Sequence, residues 1–230
     1  MKKGELKKQE ILRTAEELFC TKGYEQTSVQ DIIDRLNTSK GSFYHHFESK
    51  ESLLAGICAA RACRIYSAAE SEAEKYASPL QKLDVLLSGM IPLQGERLRF
   101  LMMLLPVFML PEGKTVRQYY CDALSVQFRD SVRSQIEAGH LSGELYCTDP
   151  ENASSLILLL INGLWVSITD KIIQAEMHSA APDLSGCLKT TDCCRNCIER
   201  FLSVPYGSLT LVDLPALRLL AENICNHWTR

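Results

Sequence analysis

Apolar residues recur at helical spacing along nearly the whole chain, whereas the strict alternation expected of half-buried strands is almost absent. Between residues 5 and 22, Ile11, Ala15 and Phe19 fall on one face of a helix, and Gly23 follows as a stop signal. The same criteria predict three more helices, over 28–36, 39–47 and 50–76.

The rest of the chain keeps this helical pattern and is interrupted by prolines and glycines. Further helices are predicted over 80–93, 96–109, 114–139, 150–178, 189–203 and 214–228. No internal repeat or low-complexity segment is visible. We therefore predict an all-α protein, with a compact three-helix head at residues 1–48 and a larger helical body at residues 49–230.

The junction between the second and third predicted helices has the features of a helix-turn-helix. Thr27 and Gln30 have the spacing of a capping box at the start of the second helix. Asn37 occupies the tight turn, where a residue that tolerates a left-handed backbone is favoured. Two short helices joined by about three residues predict a DNA-binding unit whose second helix enters the major groove.

The third predicted helix lies in the segment TSKGSFYHHF, residues 38–47, whose side chains suit DNA contact. Lys40 can donate to a guanine edge or a phosphate, and Gly41 lets the helix approach the DNA backbone closely. Phe43 and Phe47 are expected in the core of the head. The predicted DNA-binding residues are Thr27, Ser28, Ser39, Lys40, Gly41, Ser42, Tyr44, His45, His46 and Lys50.

The charge distribution is compatible with this prediction, although the total charge gives no hint of nucleic acid. The 230 residues carry a formal net charge of −3, and 46% of them are hydrophobic. Residues 1–50 contain nine Lys or Arg and eight Asp or Glu, a net charge of +1, so the other 180 residues have a net charge of −4. The mildly positive head is the part expected to approach a polyanion.

Two apolar runs are candidates for membrane spans, at residues 100–110 and 154–168. Pro106 interrupts the first run, and both are shorter than the roughly 18 residues that suggest a span. We therefore predict that they are buried core helices. The basic start of the chain is followed by no apolar run of a signal peptide. A cytoplasmic protein without a membrane partner is expected.

Residues 11–54, ILRTAEELFCTKGYEQTSVQDIIDRLNTSKGSFYHHFESKESLL, resemble the DNA-binding head of the TetR family of bacterial transcriptional regulators. The resemblance covers about a fifth of the chain closely. In the body, LLINGLW at residues 159–165 is similar to the penultimate long helix of many members. Asn37 and Thr38 stand where many members have glycine and valine.

This resemblance implies a function beyond that of the head. Members of the family are usually homodimers, and the helices predicted at 150–178 and 189–203 would form a four-helix bundle with a second subunit. The body would then be an effector-binding and dimerisation domain. A dimer would bind a near-palindromic operator, most often as a repressor, and a small-molecule effector of unknown identity would release it.

Candidate effector-pocket residues are the methionines, aromatic residues and one amide within the apolar stretches, because such side chains suit an adaptable cavity. Ordinary core or interface packing is the alternative for each of them. The candidates are Met102, Met103, Phe108, Tyr120, Phe128, Asn162 and Trp165. No cofactor is predicted.

The chain contains ten cysteines, and the segment CLKTTDCCRNC concentrates four of them. Cys193 and Cys194 both share a helix face with Cys197. This arrangement leaves three interpretations open, namely simple burial, a redox sensor and a metal site. A regulator of the same fold that responds to redox state or metal through Cys193, Cys194 and Cys197 is therefore the alternative to a small-molecule sensor.

Two other classes of function, an enzyme and a protein-interaction module, are the alternatives to a DNA-binding regulator. An enzyme is not expected, since the sequence has neither the G-x-S-x-G pattern of hydrolases nor the H-E-x-x-H pattern of metalloproteases. No metal site is predicted at His45 and His46, because neighbouring helical side chains point about 100° apart. A helical protein-interaction module that does not bind DNA is the remaining alternative.

Overall fold

In the computed structural model of the protein, the described residues are 3–93, 95–108, 113–212 and 214–228. Within these ranges there is no strand, which confirms the all-α prediction. The helices are α1 (Lys3–Lys22), α2 (Val29–Arg35), α3 (Lys40–Tyr44), α4 (Lys50–Ala73), α5 (Pro79–Met90), α6 (Gly95–Phe108), α7 (Gly113–Ser142), α8 (Pro150–Met177), α9 (Leu184–Phe201) and α10 (Leu214–Trp228).

The turns of the head form where the sequence predicts them, but the cap of α2 differs. Gly23 ends α1 with a φ of 92°, and Asn37 adopts a φ of 47° in the turn before α3. The N-cap of α2 is Ser28, which forms a capping box with Asp31. The predicted box of Thr27 and Gln30 is therefore wrong by one residue.

Contacts divide the chain into two compact units. The first unit contains residues 1–62 and 100–123, and the second contains residues 63–99 and 124–230. The end of α6 and the start of α7 thus belong to the same unit as the helix-turn-helix. The predicted boundary between a DNA-binding domain at 1–48 and an effector-binding and dimerisation domain at 49–230 stays a prediction. Contacts alone do not test which residues bind DNA or an effector.

The first unit has an apolar core and one buried ion pair. Phe43 is fully buried and Phe47 nearly so, as predicted for the core of the head. Glu16 of α1 accepts a hydrogen bond from Arg61 of α4, and both side chains are largely buried. The guanidinium of Arg61 also lies 5.4 Å from the centre of the Phe100 ring on α6. Charge and aromatic contacts therefore connect three helices of this unit.

The second unit is built around α8, whose buried face packs against α5, α9 and α10. The link between α9 and α10 is held by carboxylates. Glu199, which is 1% exposed, accepts hydrogen bonds from the amides of Gly207 and Leu209 at 2.9–3.1 Å. Asp84 accepts from the amide of Thr210 at 2.9 Å. These bonds satisfy backbone groups that would otherwise be left without partners on a helix connection.

Helix α8 corrects one expectation about the apolar runs. Residues 150–175 form a stretch that is long and apolar enough to cross a membrane by those two criteria, whereas the sequence suggested that the run was too short. About half of the tested window, 56%, is buried inside the protein. The buried part agrees with the predicted core helix, and the rest leaves an apolar face exposed.

Candidate DNA-binding interface

Helix α3 presents a polar surface because its single buried side chain anchors the opposite face. Ser39 begins the helix, since its side chain accepts a hydrogen bond from the amide of Ser42 at 3.1 Å. Phe43 is 0% exposed, and its ring meets the Phe47 ring at 6.2 Å. Lys40 and Tyr44 are exposed on the other side. The helix is thus fixed on the head by one side and offers the other side to a partner.

Gly41 lies in the exposed part of α3, where the protein itself does not need a glycine. A methyl group added there would meet one atom within 4 Å, the Ser39 hydroxyl at 3.9 Å. The residue is also absent from the positions with positive φ. Neither backbone conformation nor internal packing accounts for a glycine here, whereas close approach of an external partner would.

The two histidines that follow α3 differ in exposure. His45 is exposed and His46 is half-buried, and their rings meet edge to face with centroids 5.0 Å apart. The described residues contain no group of three potential metal ligands. His45 therefore has the better position for contact with an external group.

The start of α2 carries a network of charged hydrogen bonds. The carboxylate of Asp31 accepts from the amide and the hydroxyl of Ser28, both at 2.7 Å. Lys22 lies 2.9 Å from the same carboxylate. The hydrogen bond from Lys22, followed by those from Ser28, holds the pKa of Asp31 well below its usual value. Ser28 is exposed at the surface, and its side chain is also the N-cap of α2.

Two of the predicted phosphate contacts are occupied inside the head. Thr27 is 0% exposed, and its hydroxyl donates to the carbonyl of Gly23 at 2.7 Å. The ammonium of Lys50 donates to the carbonyl of Tyr24 at 2.9 Å and lies 4.0 Å from the centre of the Tyr24 ring. The side chain of Thr27 is therefore a structural element, which corrects its predicted role. Lys50 mainly fastens the start of α4 to the loop after α1.

Comparison with known proteins places this geometry in a family. Residues 11–57 match the profile of bacterial regulatory proteins of the tetR family. The chain is 28% identical over 210 residues to the HTH-type transcriptional regulator YerO of Bacillus subtilis, a match that covers 76% of this chain and 72% of YerO. Over 77 residues it is 31% identical to the HTH-type transcriptional repressor KstR2 of Mycolicibacterium smegmatis, which covers 34% of this chain and 38% of KstR2.

The chain contains a TetR-family DNA-binding domain at residues 11–57. It is a DNA-binding transcriptional regulator, and its relatives are regulators rather than enzymes. The fold extends beyond the matched head. The structure of RolR in complex with resorcinol aligns with a TM-score of 0.60 over 95% of this chain and 94% of RolR, at 13% identity. At that identity the likeness concerns the fold alone.

The candidate effector residues are distributed over both compact units. Met102 and Met103 are half-buried in the first unit, where Tyr120 is fully buried with its ring 5.2 Å from that of Phe100. The side chain of Phe108 lies outside the described residues. Met102, Met103 and Tyr120 thus lie in the same compact unit as α3.

The other three candidates are buried in the second unit, and two of them, Asn162 and Trp165, are linked by a hydrogen bond. Asn162 donates to the hydroxyl of Ser125 at 2.9 Å and accepts from the indole N–H of Trp165 at 3.1 Å. Phe128 is 0% exposed and meets the ring of Tyr66 edge to face at 5.3 Å. Asn162 therefore satisfies internal partners, and its role as an effector contact stays a prediction.

The cysteines of α9 fall into two groups by exposure. Cys187 and Cys194 are buried, whereas Cys193 and Cys197 are exposed. Burial, together with the nearby Cys197 and Cys193, raises the pKa of Cys194 to about 11. The described part of the chain has no cluster of three ligands that could hold a metal, so the geometry does not favour the metal interpretation.

The second unit also has a surface cleft that no sequence pattern predicted. It has a volume of about 540 Å³ and lies where α7 ends and α8 begins. Its lining residues are Glu137, His140, Leu141, Tyr146, Cys147, Thr148 and Pro150. The rings of His140 and Tyr146 lie 5.4 Å apart. These residues are brought together by a turn, and turns leave no periodic signal in the sequence.

Proposed function

We propose that this TetR-family chain is a cytoplasmic repressor that binds a near-palindromic operator as a homodimer and is released by a small molecule. The observation that carries the proposal is the exposed polar side of α3, opposite the buried Phe43. Blocking a promoter by occupation needs no enzymatic group. KstR2, which is similar to 34% of this chain, is named a transcriptional repressor, and this supports the proposed sense of regulation.

Contact with DNA is assigned to the residues that the fold leaves exposed at α3. Lys40 would donate to a base edge or a phosphate, and Gly41 would allow the backbone of α3 to approach the DNA. Tyr44 and His45 would donate to phosphates beside the groove, with His46 at their edge. Ser39 and Ser42 would add hydroxyl contacts, and Ser28 would face a phosphate at the start of α2. Lys50 and Thr27 would support this surface from inside.

Dimerisation is assigned to the exposed apolar face of α8 and the neighbouring face of α9. Leu156, Leu159 and Leu160 are 48%, 65% and 40% exposed, respectively, although they lie on an otherwise buried helix. Gly163 has no neighbouring atom within 4 Å of an added Cβ, so a second helix could approach closely there. Phe201 of α9 is 46% exposed. Large exposed apolar patches mark protein interfaces in soluble proteins, and a second copy would cover this one.

The proposed signal is a small molecule that binds the body. The structures of a regulator in complex with choline, at a TM-score of 0.52, and of RolR with resorcinol have the same fold. We assign the effector contacts to Met102 and Met103 together with Tyr120, because the first unit combines these half-buried, adaptable side chains with a buried phenol. The residues Phe128, Asn162 and Trp165 would support the body from its core.

The test is selection of genomic DNA fragments by the purified protein, followed by titration of the selected duplex. Lys40→Ala should lower affinity by about 1–3 kcal/mol if Lys40 contacts a base, and affinity should fall steeply with added salt. Lys75→Ala is the matched control, because Lys75 is exposed and paired with Glu72 outside the head. Failure to select any duplex would instead favour a helical protein-interaction module. Unchanged affinity of Lys40→Ala would reject the assignment of α3.

A further inference from the structure

The exposed thiols of α9 border the apolar face through which the subunits are proposed to associate. The Sγ atom of Cys194 lies 3.7 Å from the carbonyl oxygen of Leu160, so this part of α9 is adjacent to the exposed leucines of α8. Cys193 and Cys197 flank Cys194 and are exposed. The two exposed thiols therefore lie within one helical turn of the contact between α9 and Leu160.

Helix geometry prevents these thiols from pairing within one chain. Helix α9 is continuous from Leu184 to Phe201. Cβ atoms of residues three or four apart on a helix are separated by about 5–6 Å, whereas a disulfide needs about 3.5–4.5 Å. Side chains of adjacent residues such as Cys193 and Cys194 point in different directions. A disulfide within the segment would require α9 to unwind.

The buried thiols of the same helix are also poor candidates for reaction. Cys187 is fully buried, and Cys194 is nearly so. Burial raises the pKa of both thiols, that of Cys194 to about 11, which leaves little thiolate for reaction at neutral pH. Cys193 and Cys197 are therefore the accessible thiols of α9, and each lacks a partner within reach on its own helix.

We propose that Cys193 and Cys197 form an oxidation site that is completed by the second subunit, through a disulfide between the two copies of α9. This inference rests on the proposed dimer. In a two-fold interface the same surface meets its own copy, so a thiol near the axis meets the identical thiol, and thiols off the axis meet in reciprocal pairs. The site would link the redox state of the cell to the persistence of the dimer.

The reaction requires a hydroperoxide as oxidant. One thiolate attacks the peroxide, the O–O bond breaks, and a sulfenic acid forms. The thiol of the other subunit then displaces water as the S–S bond forms. Two thiols thus lose two electrons and two protons in total, and hydrogen peroxide yields two water molecules. A thiol reductant restores the starting state by exchange.

The closing experiment measures mass and covalent linkage separately. Light scattering of the reduced protein gives the oligomeric state, and non-reducing electrophoresis after hydrogen peroxide treatment detects linked dimers. We expect a dimer that becomes covalently linked and is released by dithiothreitol, whereas the double variant Cys193→Ser with Cys197→Ser stays unlinked. The exposed Cys20 and Cys63 remain in that variant and control for random crosslinking.

The single variants identify the bond. Loss of linkage in one of them would assign a pair of identical cysteines, and loss in both would assign reciprocal pairs of Cys193 with Cys197. A reduced dimer that does not become linked, or linkage that persists in the double variant, would overturn the oxidation site while leaving the dimer intact. A monomer in light scattering would overturn both proposals. The linked protein should keep its operator binding on dilution, because a covalent dimer cannot dissociate into monomers.

Discussion

Replacement of Gly41 by alanine separates the stability of the head from its contact with DNA. A glycine in an exposed helix costs stability relative to alanine, and the added methyl group would meet only the Ser39 hydroxyl, at 3.9 Å. Because the position does not need a positive φ, Gly41→Ala should stabilise the protein by about 0.4–1 kcal/mol. The variant should therefore fold at least as well as the original chain.

The same methyl group should weaken operator binding. If α3 approaches the DNA backbone at Gly41, the added carbon occupies space that the complex needs. Forcing one extra carbon into a packed contact costs about 1–3 kcal/mol, which corresponds to roughly a five- to 150-fold loss of affinity. Stability and affinity would then change in opposite directions, a result that general damage to the fold cannot produce.

Urea denaturation and fluorescence anisotropy with the selected operator measure the two effects. Gly4→Ala is the matched control, since Gly4 lies exposed in α1 with open space around it and outside α3. That variant should gain stability and keep its affinity. Unchanged operator affinity in Gly41→Ala, together with increased stability, would refute the close approach of α3 to DNA. Reduced stability would refute the description of Gly41 as unconstrained by the protein.

Two further predictions concern the charged contacts of the first unit. The pKa of Asp31 is lowered in the folded head, so its stabilising contribution should be complete above the ordinary carboxyl pKa of 3.8 and decline as the pH falls below it. Asp31→Asn should remove this part of the pH dependence in urea melts at pH 2–6, and a profile identical to that of the original chain would contradict the assignment. Arg61→Met should destabilise the protein by about 3–5 kcal/mol, because it removes the guanidinium that pairs with the largely buried carboxylate of Glu16. The double variant with Glu16→Gln should recover most of that loss in the same melts, and an additive loss would show that the pair is not coupled.

The helix pattern could be predicted because its causes are local. The helix starts predicted at residues 39, 50 and 80 agree with the structure within one residue, and Asn37 takes the left-handed conformation expected of it. The cap of α2 shows where local reasoning ends. Thr27 and Ser28 are both suitable caps, and each is followed three residues later by a side chain that can complete a box. Ser28 is the cap because Thr27 is buried against the carbonyl of Gly23, a contact that spacing alone does not reveal.

Long-range contacts explain the other differences. The sequence predicts a basic, exposed side chain at Lys50, but the position of its ammonium is set by Tyr24, 26 residues earlier in the chain. The apolar residues of the body are also difficult to assign from the sequence. Trp165, Phe128 and Tyr120 have the same helical periodicity whether they line a cavity or fill a core. Packing between helices decides the outcome, and Trp165 and Phe128 are buried in the core of the second unit.

Side-chain contacts within the first unit offer a route by which a signal would reach the DNA-binding head. Tyr120 of α7 contacts Phe100 of α6, whose ring lies beneath the guanidinium of Arg61 on α4, and Arg61 pairs with Glu16 on α1. These contacts form a continuous chain from a proposed effector residue to the first helix of the head. A ligand that displaces the Tyr120 ring would therefore disturb Phe100 and the ion pair without having to move the second unit. Coupling of this kind requires that the ligand prefer one arrangement of the chain of contacts over another. The loss of stability in Arg61→Met would measure how strongly that arrangement is held.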